Sequence, residues 1–321
     1  MTTLHPLVLA TIEVVGLALL VFTVAAYVIL AERRVIGRMQ ARLGPNRVGP
    51  FGMFQPLADV IKLLTKEDLR PAGASKWLHV VTPIVTLVPV MLVFAVIPVS
   101  PDWRLADLNV GYLYVAAISS IGVYGVALGG WSSNSKYALL GGLRSSAQLI
   151  SYELAQGLAV LGVIAATGSL SLVHIVQSQF PVPFAVAQPI GFVVYFIASI
   201  AESSRAPFDL PEAEQELGAG YHTEFSAFRF ALFMLSEYLH VVASSALVTV
   251  LFLGGWWPFD GGPLGVAAFA VKMSFFIFVF IWLRATLPRI RYDRLMAFGW
   301  KVLIPLALVN LTIVAVWIAL Q

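Results

Sequence analysis

Long apolar runs constrain this chain more than any other feature of its sequence. A stretch of about 18 or more apolar residues is long enough to cross the hydrocarbon core of a bilayer as a helix, and eight such runs occur. The composition agrees, because hydrophobic residues make up 59%, charged residues make up only 12% and the mean hydropathy is +0.87. The sequence therefore predicts an all-α integral membrane protein.

The predicted spans form a single polytopic membrane domain over residues 1–321. After the first span, a segment rich in Gly and Pro is followed at 54–67 by apolar residues at helical spacing, with Asp59 and Lys62 on the opposite face. This pattern indicates an amphipathic helix in the membrane interface, and a helix packed on a soluble partner would show the same pattern. The spans are predicted at 7–31, 78–99, 112–132, 146–166, 188–204, 228–254, 265–285 and 302–320.

The basic residues predict how these spans are oriented. Eighteen of the 20 Lys and Arg residues fall in connections on one side, Arg104 stands alone on the other side and Lys272 lies within a span. Because Lys and Arg favour the cytoplasmic side of a membrane, both termini are expected outside. The low Lys and high Ala and Val content suggests a bacterial cell membrane. The pI near 9.2 then reflects contact with membrane lipid, since no nucleic-acid-binding motif is present.

Several classes of chemistry are excluded by residue types that the chain lacks. It has no cysteine, and so it cannot form a disulfide or hold a thiolate-ligated iron–sulfur cluster. Its five histidines show no metal-ligand spacing, and no glycine-rich nucleotide motif occurs. We expect no bound metal or cofactor on this chain, and any electron-transfer centre should lie on another polypeptide.

Acidic residues are concentrated in one connection between apolar runs. Six of the 17 carboxylates lie between 202 and 224, interleaved with Pro, Gly and apolar residues. Carboxylates at the edge of a bilayer are costly unless they face water, a partner or a proton path. The pattern predicts an ordered acidic loop at 205–227, and a solvated charge run is the alternative.

Further carboxylates fall inside the predicted spans. Glu153 lies in the fourth span, and Glu237 lies in the sixth, with His240 on the same helical face. Burial favours the neutral form of a carboxyl group, which then becomes able to exchange protons at neutral pH. A carboxyl that only holds helices together is the alternative. Together with Glu202, these residues open on the acidic loop, and the set favours a proton or ion path.

The chain resembles a known family over nearly its whole length, the quinone-site membrane subunit of respiratory complex I (called the H subunit in bacteria and subunit 1 in mitochondria). Six long motifs in the family's order carry this resemblance: AERRVIGRMQARLGPNRVGPFG (31–52), QPLADVIKLLTKE (55–67), RSSAQLISYE (144–153), AESSRAPFDLPEAEQELGAGYHTEF (201–225), LSEY (235–238) and RATLPRIRYDRLMAFGWKVLIP (284–305). The family implies eight spans and a subunit that joins the peripheral electron-transfer arm to the proton-pumping subunits.

The resemblance also implies partners and site residues. Quinone is the substrate, and this chain would form much of the tunnel by which the quinone reaches an iron–sulfur cluster. FMN and the iron–sulfur clusters belong to partner subunits in this family. The partners are the quinone-site subunits of the peripheral arm and small membrane subunits that lead to antiporter-like subunits. The acidic channel maps to Glu153, Glu202, Asp209, Glu212, Glu214, Glu216, Glu224 and Glu237. The tunnel maps to Arg33, Gln40, Arg42, Gln55, Arg284, Arg289 and Arg291, for which lipid anchoring is the alternative.

Two other functions stay open from the sequence. A related membrane-bound hydrogenase has a homologous anchor subunit that need not use quinone. A stand-alone proton-coupled transporter could use the same buried acids, although no internal repeat of the kind found in many transporters is evident. The subunits that copurify with the chain would separate these functions.

Overall fold

The computed structural model describes residues 6–209 and 220–320, and these fold mainly into α-helices. In chain order the helices are α1 (Pro6–Met39), α2 (Gln55–Thr65), α3 (Lys76–Phe94), α4 (Gly111–Ser132), α5 (Lys136–Thr167), α6 (Leu172–Gln177), α7 (Phe184–Ala187), α8 (Pro189–Glu202), α9 (Ala227–Phe252), α10 (Gly262–Thr286), α11 (Tyr292–Phe298) and α12 (Ile304–Ala319). No β-strand occurs within the two described ranges. The predicted all-α fold is confirmed.

Seven helical segments are long and apolar enough to cross a membrane. They are α1, α3, α4, α5, α9, α10 and the continuous run of α11, a π-helical turn (Gly299–Leu303) and α12. The chain is therefore an integral membrane protein.

The predicted span at 188–204 is shorter than expected. It forms α8, which has 14 residues and follows the single turn of α7. At 1.5 Å per residue such a helix covers about 21 Å, whereas the hydrocarbon core is about 30 Å thick. The described residues thus provide seven long apolar helices and one shorter apolar helix within the predicted 188–204.

The centre of the bundle is formed by α5 and α9. Helix α5 packs against α4, α8 and α12, and α9 packs against α3, α10 and α1. Small residues let the helices approach closely, as is usual within membranes. A Cβ atom on Gly125 of α4 would lie 2.1 Å from Thr86 Oγ1 and 2.8 Å from the Thr86 backbone nitrogen. Contact between α3 and α4 therefore requires glycine at this position.

The outer helices present apolar side chains to their surroundings. Leu19 and Leu20 on α1, Phe275 on α10 and Ile313 and Trp317 on α12 are all exposed. Such surfaces are stable in lipid and would be unusual on a soluble protein.

The predicted amphipathic helix corresponds to α2. None of its residues is buried. Its Asp59 pairs with Arg33 of α1, with 2.7 Å between Oδ2 and Nη1, while Leu57 and Ile61 are exposed. The charged face of α2 is thus held against α1. Contact of its apolar face with the bilayer remains a prediction.

Both described ends of the acidic loop are fixed to α5. The Gln148 amide donates hydrogen bonds of 2.8 Å to the carbonyl oxygens of Ala201 and Phe208, which anchors the start of the loop. At its other end a 3₁₀ turn (Gly220–His222) packs so closely that a Cβ atom on Gly141 would lie 2.8 Å from the Gly220 Cα. The ordered loop is predicted at 205–227, and its middle lies outside the described residues.

Candidate functional site

Two narrow cavities lie end to end between the central helices. The loop-side cavity reaches the acidic loop and is lined there by Ser203, Ser204 and Tyr221. The far cavity extends away from the loop, toward Leu247 of α9. Four residues line both cavities, and we call them the shared layer: Ser119, Glu153, Glu202 and His240.

The order of the lining residues shows that the cavities stack along the helix axes. On α9, residues 236–240 line the loop-side cavity and residues 240–247 line the far cavity. Helix α4 runs in the opposite direction, and its lining residues are ordered in reverse, with 119–126 on the loop side and 112–119 on the far side. At 1.5 Å per residue, the two cavities together extend over roughly 16–21 Å of the bundle.

The carboxylates of the shared layer are held by hydroxyl and amide groups. Ser120 of α4 donates a hydrogen bond from Oγ to Glu153 Oε1. Glu202 lies close enough to Glu153 for their charges to interact, and Gln156 lies beside Glu202. Among the described residues, no Lys or Arg forms an ion pair with Glu153 or Glu202. Two neighbouring carboxyl groups without a cation are costly to ionise together.

A third carboxylate joins the loop-side cavity from α9. Glu237 is 7% exposed and lines this cavity. The structure therefore brings together Glu153, Glu202 and Glu237, and it places them beside the start of the acidic loop, as the sequence predicted. Their role in a proton path remains a prediction.

A further buried carboxylate, Glu32, lies next to the cavities. We call this residue and the side chains around it the Glu32 cluster. Glu32 of α1 accepts hydrogen bonds from Arg284 Nη1 and, at 3.3 Å, from the Tyr238 hydroxyl. Arg205 Nη1 lies 3.7 Å from Glu32 Oε2, and its guanidinium centre lies 4.1 Å from the centroid of the Tyr238 ring. Glu32 is absent from the site residues predicted from the sequence, although its position at the charged end of the first apolar run was a usable signal.

The predicted loop acids are spread between different surroundings. Asp209 is buried and accepts a 2.9 Å hydrogen bond from Arg289. Glu224 is half-buried at the other end of the loop and does not line either cavity. Glu212, Glu214 and Glu216 lie outside the described residues.

The residues predicted to line a quinone tunnel do not line the two cavities. Gln55 donates to Asp59 Oδ1 at 3.0 Å, beside the contact of Arg33 with the same carboxylate. Arg42 donates to Gln40 at 2.8 Å. Arg284 and Arg289 contact Glu32 and Asp209, as described above, and Arg291 pairs with Asp293 at 2.5 Å. Contact of these residues with quinone remains a prediction.

One titratable group outside the spans has a strongly shifted pKa. Burial lowers the pKa of His222 to about 4, against the opposing effect of Asp209. His222 is therefore neutral at neutral pH. In the described part of the chain, no group of three or more His, Asp or Glu side chains is placed to hold a metal ion.

Comparison with known proteins places this sequence in a family. The sequence pattern of the NADH dehydrogenase family matches residues 12–315. The chain is 52% identical to the H subunit of the NADH-quinone oxidoreductase of Syntrophotalea carbinolica, with 98% of each chain covered. It is 55% identical to the second H subunit of the same enzyme in Geobacter sulfurreducens (91% of each chain) and 53% identical to the H subunit in Geobacillus kaustophilus (93% of this chain, 92% of the relative). The chain therefore belongs to the NADH dehydrogenase family.

Proposed function

We propose that this chain is the membrane-embedded H subunit of an NADH-quinone oxidoreductase, a proton-translocating complex of the bacterial cell membrane. The names of its relatives and the seven long apolar helices support this assignment. In this proposal both termini lie outside, quinone is the substrate and the chain itself carries no redox centre. FMN and iron–sulfur clusters belong to partner subunits. The partners of this chain are the quinone-site subunits of the peripheral arm and small membrane subunits that lead to the antiporter-like subunits.

The observation that carries the proposal is the shared layer. Carboxyl groups from α5 and α8 meet there between two internal cavities, and Ser120 supplies a hydrogen bond to Glu153. A buried carboxylate that serves only stability is normally paired with a cation. A carboxyl held by hydroxyl groups keeps its ability to gain and lose a proton. We propose that the loop acids and the three cavity carboxylates, Glu153, Glu202 and Glu237, form a proton relay.

The Glu32 cluster offers a route by which quinone chemistry reaches this relay. Two short segments contribute to both regions: on α9, Glu237 is followed by Tyr238, and Glu202 at the end of α8 precedes Arg205 by three residues. In the proposal, the quinone tunnel uses the candidate basic and polar residues, of which Arg284 belongs to the Glu32 cluster. A change of charge near Arg284 would then act, through Tyr238 and Arg205, on Glu237 and Glu202. Each of these carboxylates lies within about one helical turn of its neighbour in the Glu32 cluster.

The proposed coupling needs only proton movements within this chain. Reduction of a quinone to a quinol consumes electrons from the peripheral arm and protons from the protein. The resulting change of charge shifts the balance between Glu153 and Glu202, which cannot easily both ionise. Protons released or taken up by this pair drive the antiporter-like partner subunits.

Replacement of the relay carboxyls tests the proposal. In the purified complex reconstituted into vesicles, we expect Glu153→Gln combined with Glu237→Gln to abolish quinone-linked proton translocation. Gln keeps the shape and hydrogen-bonding capacity of Glu but cannot carry a proton, and a hydrogen bond between membrane helices is worth only about 0.6–2 kcal/mol. Assembly should therefore persist, and Asp at both positions should restore part of the translocation.

NADH oxidation with an artificial acceptor that bypasses quinone serves as the control, and it should be unchanged in all these variants. Wild-type proton translocation in the double Gln variant would refute the relay at this pair of residues. Purification of this chain without any NADH-oxidising partner would refute the assignment to the complex.

A further inference from the structure

A histidine stands at the boundary between the two cavities. His240 of α9 lines both of them, and it is the one member of the shared layer that is neither a carboxylate nor a serine. Glu237 lies one turn earlier on the same face of α9, with about 5–6 Å expected between the Cβ atoms at this spacing. Ser244 lies one turn later and lines the far cavity. The ring of His240 thus lies between polar groups on both sides.

The side chain of His240 faces cavity space and does not pack in the core. From residue 236 to residue 252, every residue of α9 except His240 is buried. Because α9 packs against α1, α3, α8 and α10, we assign the accessible surface of His240 to the cavities that it lines.

The ring also lacks the contacts of a structural histidine. Buried polar groups are normally hydrogen-bonded, and a neutral imidazole has one donor and one acceptor nitrogen to satisfy. Within the described residues, no hydrogen bond or ion pair is formed by the ring of His240. Both nitrogens therefore remain available to cavity water and to the neighbouring carboxyl groups.

We infer that His240 is a proton-carrying residue that transfers protons between Glu237 and the Glu153–Glu202 pair. This inference rests on the proposed function and adds a residue to its relay. A carboxyl O–H bond of Glu237 breaks as an N–H bond forms on one ring nitrogen. The opposite N–H bond of the imidazolium then breaks as an O–H bond forms on Glu153 or Glu202. Rotation of the ring about its Cβ–Cγ bond then turns the remaining N–H bond away from Glu237, so that the ring can accept the next proton.

The surroundings of His240 fit this role. From α5 and α8 it faces Glu153 and Glu202, and from its own helix it faces Glu237. Tyr112 and Tyr195 line the far cavity, and Tyr221 lines the loop-side cavity. No Lys or Arg is among the residues that line either cavity. An imidazolium formed here would lie beside carboxyl groups, with no cation among the residues that line the cavities.

The test compares two substitutions that are matched in size. Gln and Glu at position 240 differ in their ability to carry a proton but hardly in shape. In the reconstituted complex, we expect His240→Gln to reduce quinone-linked proton translocation to below about a tenth of wild type, since a positioned proton-transfer group contributes about 10²–10⁴-fold. His240→Glu should restore a substantial part of it. NADH oxidation with an artificial acceptor reports the integrity of the complex, and His174→Gln, at an exposed position on α6, is the matched control.

Each result decides the inference. Translocation within about twofold of wild type in His240→Gln would overturn it, and so would equal losses in His240→Gln and His240→Glu, because size and not proton transfer would then matter. If His240→Gln does not assemble, His240→Asn places a smaller amide in the same cavity space and is judged by the same criteria. Loss of translocation in the double Gln variant at 153 and 237, together with normal translocation in His240→Gln, would refute only the role of His240. Normal translocation in that double variant would refute the proposed relay itself.

Discussion

The shared layer and the Glu32 cluster both bury carboxylates, but they satisfy them by opposite means. Glu32 is 8% exposed and is surrounded by Arg284, Arg205 and the Tyr238 hydroxyl. Glu153 accepts a hydrogen bond from Ser120, and its charge interacts with that of another carboxylate, Glu202. The first arrangement stabilises a fixed negative charge, whereas the second leaves the charge state open.

This difference separates a carboxylate that is held as an ion by neighbouring cations from one that is able to exchange protons. A buried ion pair is strongly destabilised when one partner is removed, because the other is left as an uncompensated buried charge. A carboxyl group among hydroxyl groups loses little when it is replaced by an amide of the same shape. Replacing Glu by Gln should therefore affect folding at Glu32 and affect proton transfer at Glu153.

The largest effect is expected at Glu32. Glu32→Gln removes the carboxylate that accepts a hydrogen bond from Arg284 and lies 3.7 Å from Arg205, which is only 4% exposed. We expect a loss of about 3–5 kcal/mol of stability, which should appear as a strongly reduced amount of assembled complex in the membrane. Glu67→Gln, at an exposed position just after α2, is the control and should assemble normally. Normal assembly of Glu32→Gln would show that the complex tolerates an amide at Glu32 as it does at Glu153, which would contradict the distinction between the two regions.

The helices that carry these two regions could be predicted from the sequence, but the contacts between their side chains could not. Hydropathy predicts α1 and α9, and helical spacing places Glu237 and His240 on one face. The partners of Glu32 could not be predicted, because Arg284 lies 252 residues away along the chain. Such contacts depend on how the helices pack, which a local pattern does not contain.

Helix α8 shows the same limit. Its place in the chain could be predicted, since the helix runs from Pro189 to Glu202 within the predicted 188–204. The acidic loop drew attention to Glu202 from the sequence alone. Its placement beside Glu153 required the three-dimensional packing of α5 on α8.

A smaller effect is expected at Ser120. Ser120→Ala removes the hydroxyl that donates to Glu153, and a hydrogen bond of this kind contributes about 1 kcal/mol. Assembly should be unchanged and proton translocation should fall by less than about tenfold, which is the change in rate that corresponds to about 1.36 kcal/mol. Ser245→Ala is the matched control, because that hydroxyl donates only to the Val241 carbonyl within α9. Equal behaviour of the two variants would show that Ser120 does not influence the carboxyl.

Infrared difference spectroscopy of the quinone-reduced against the oxidised complex tests the central claim most directly, because the C=O stretch of a protonated carboxyl group reports its protonation. We expect wild type to show carboxyl bands that change on quinone reduction. At least one of these bands should disappear in Glu153→Gln or Glu202→Gln and remain in Glu67→Gln. Carboxyl bands that are unchanged in both Glu153→Gln and Glu202→Gln would contradict the claim that the shared layer exchanges protons during turnover.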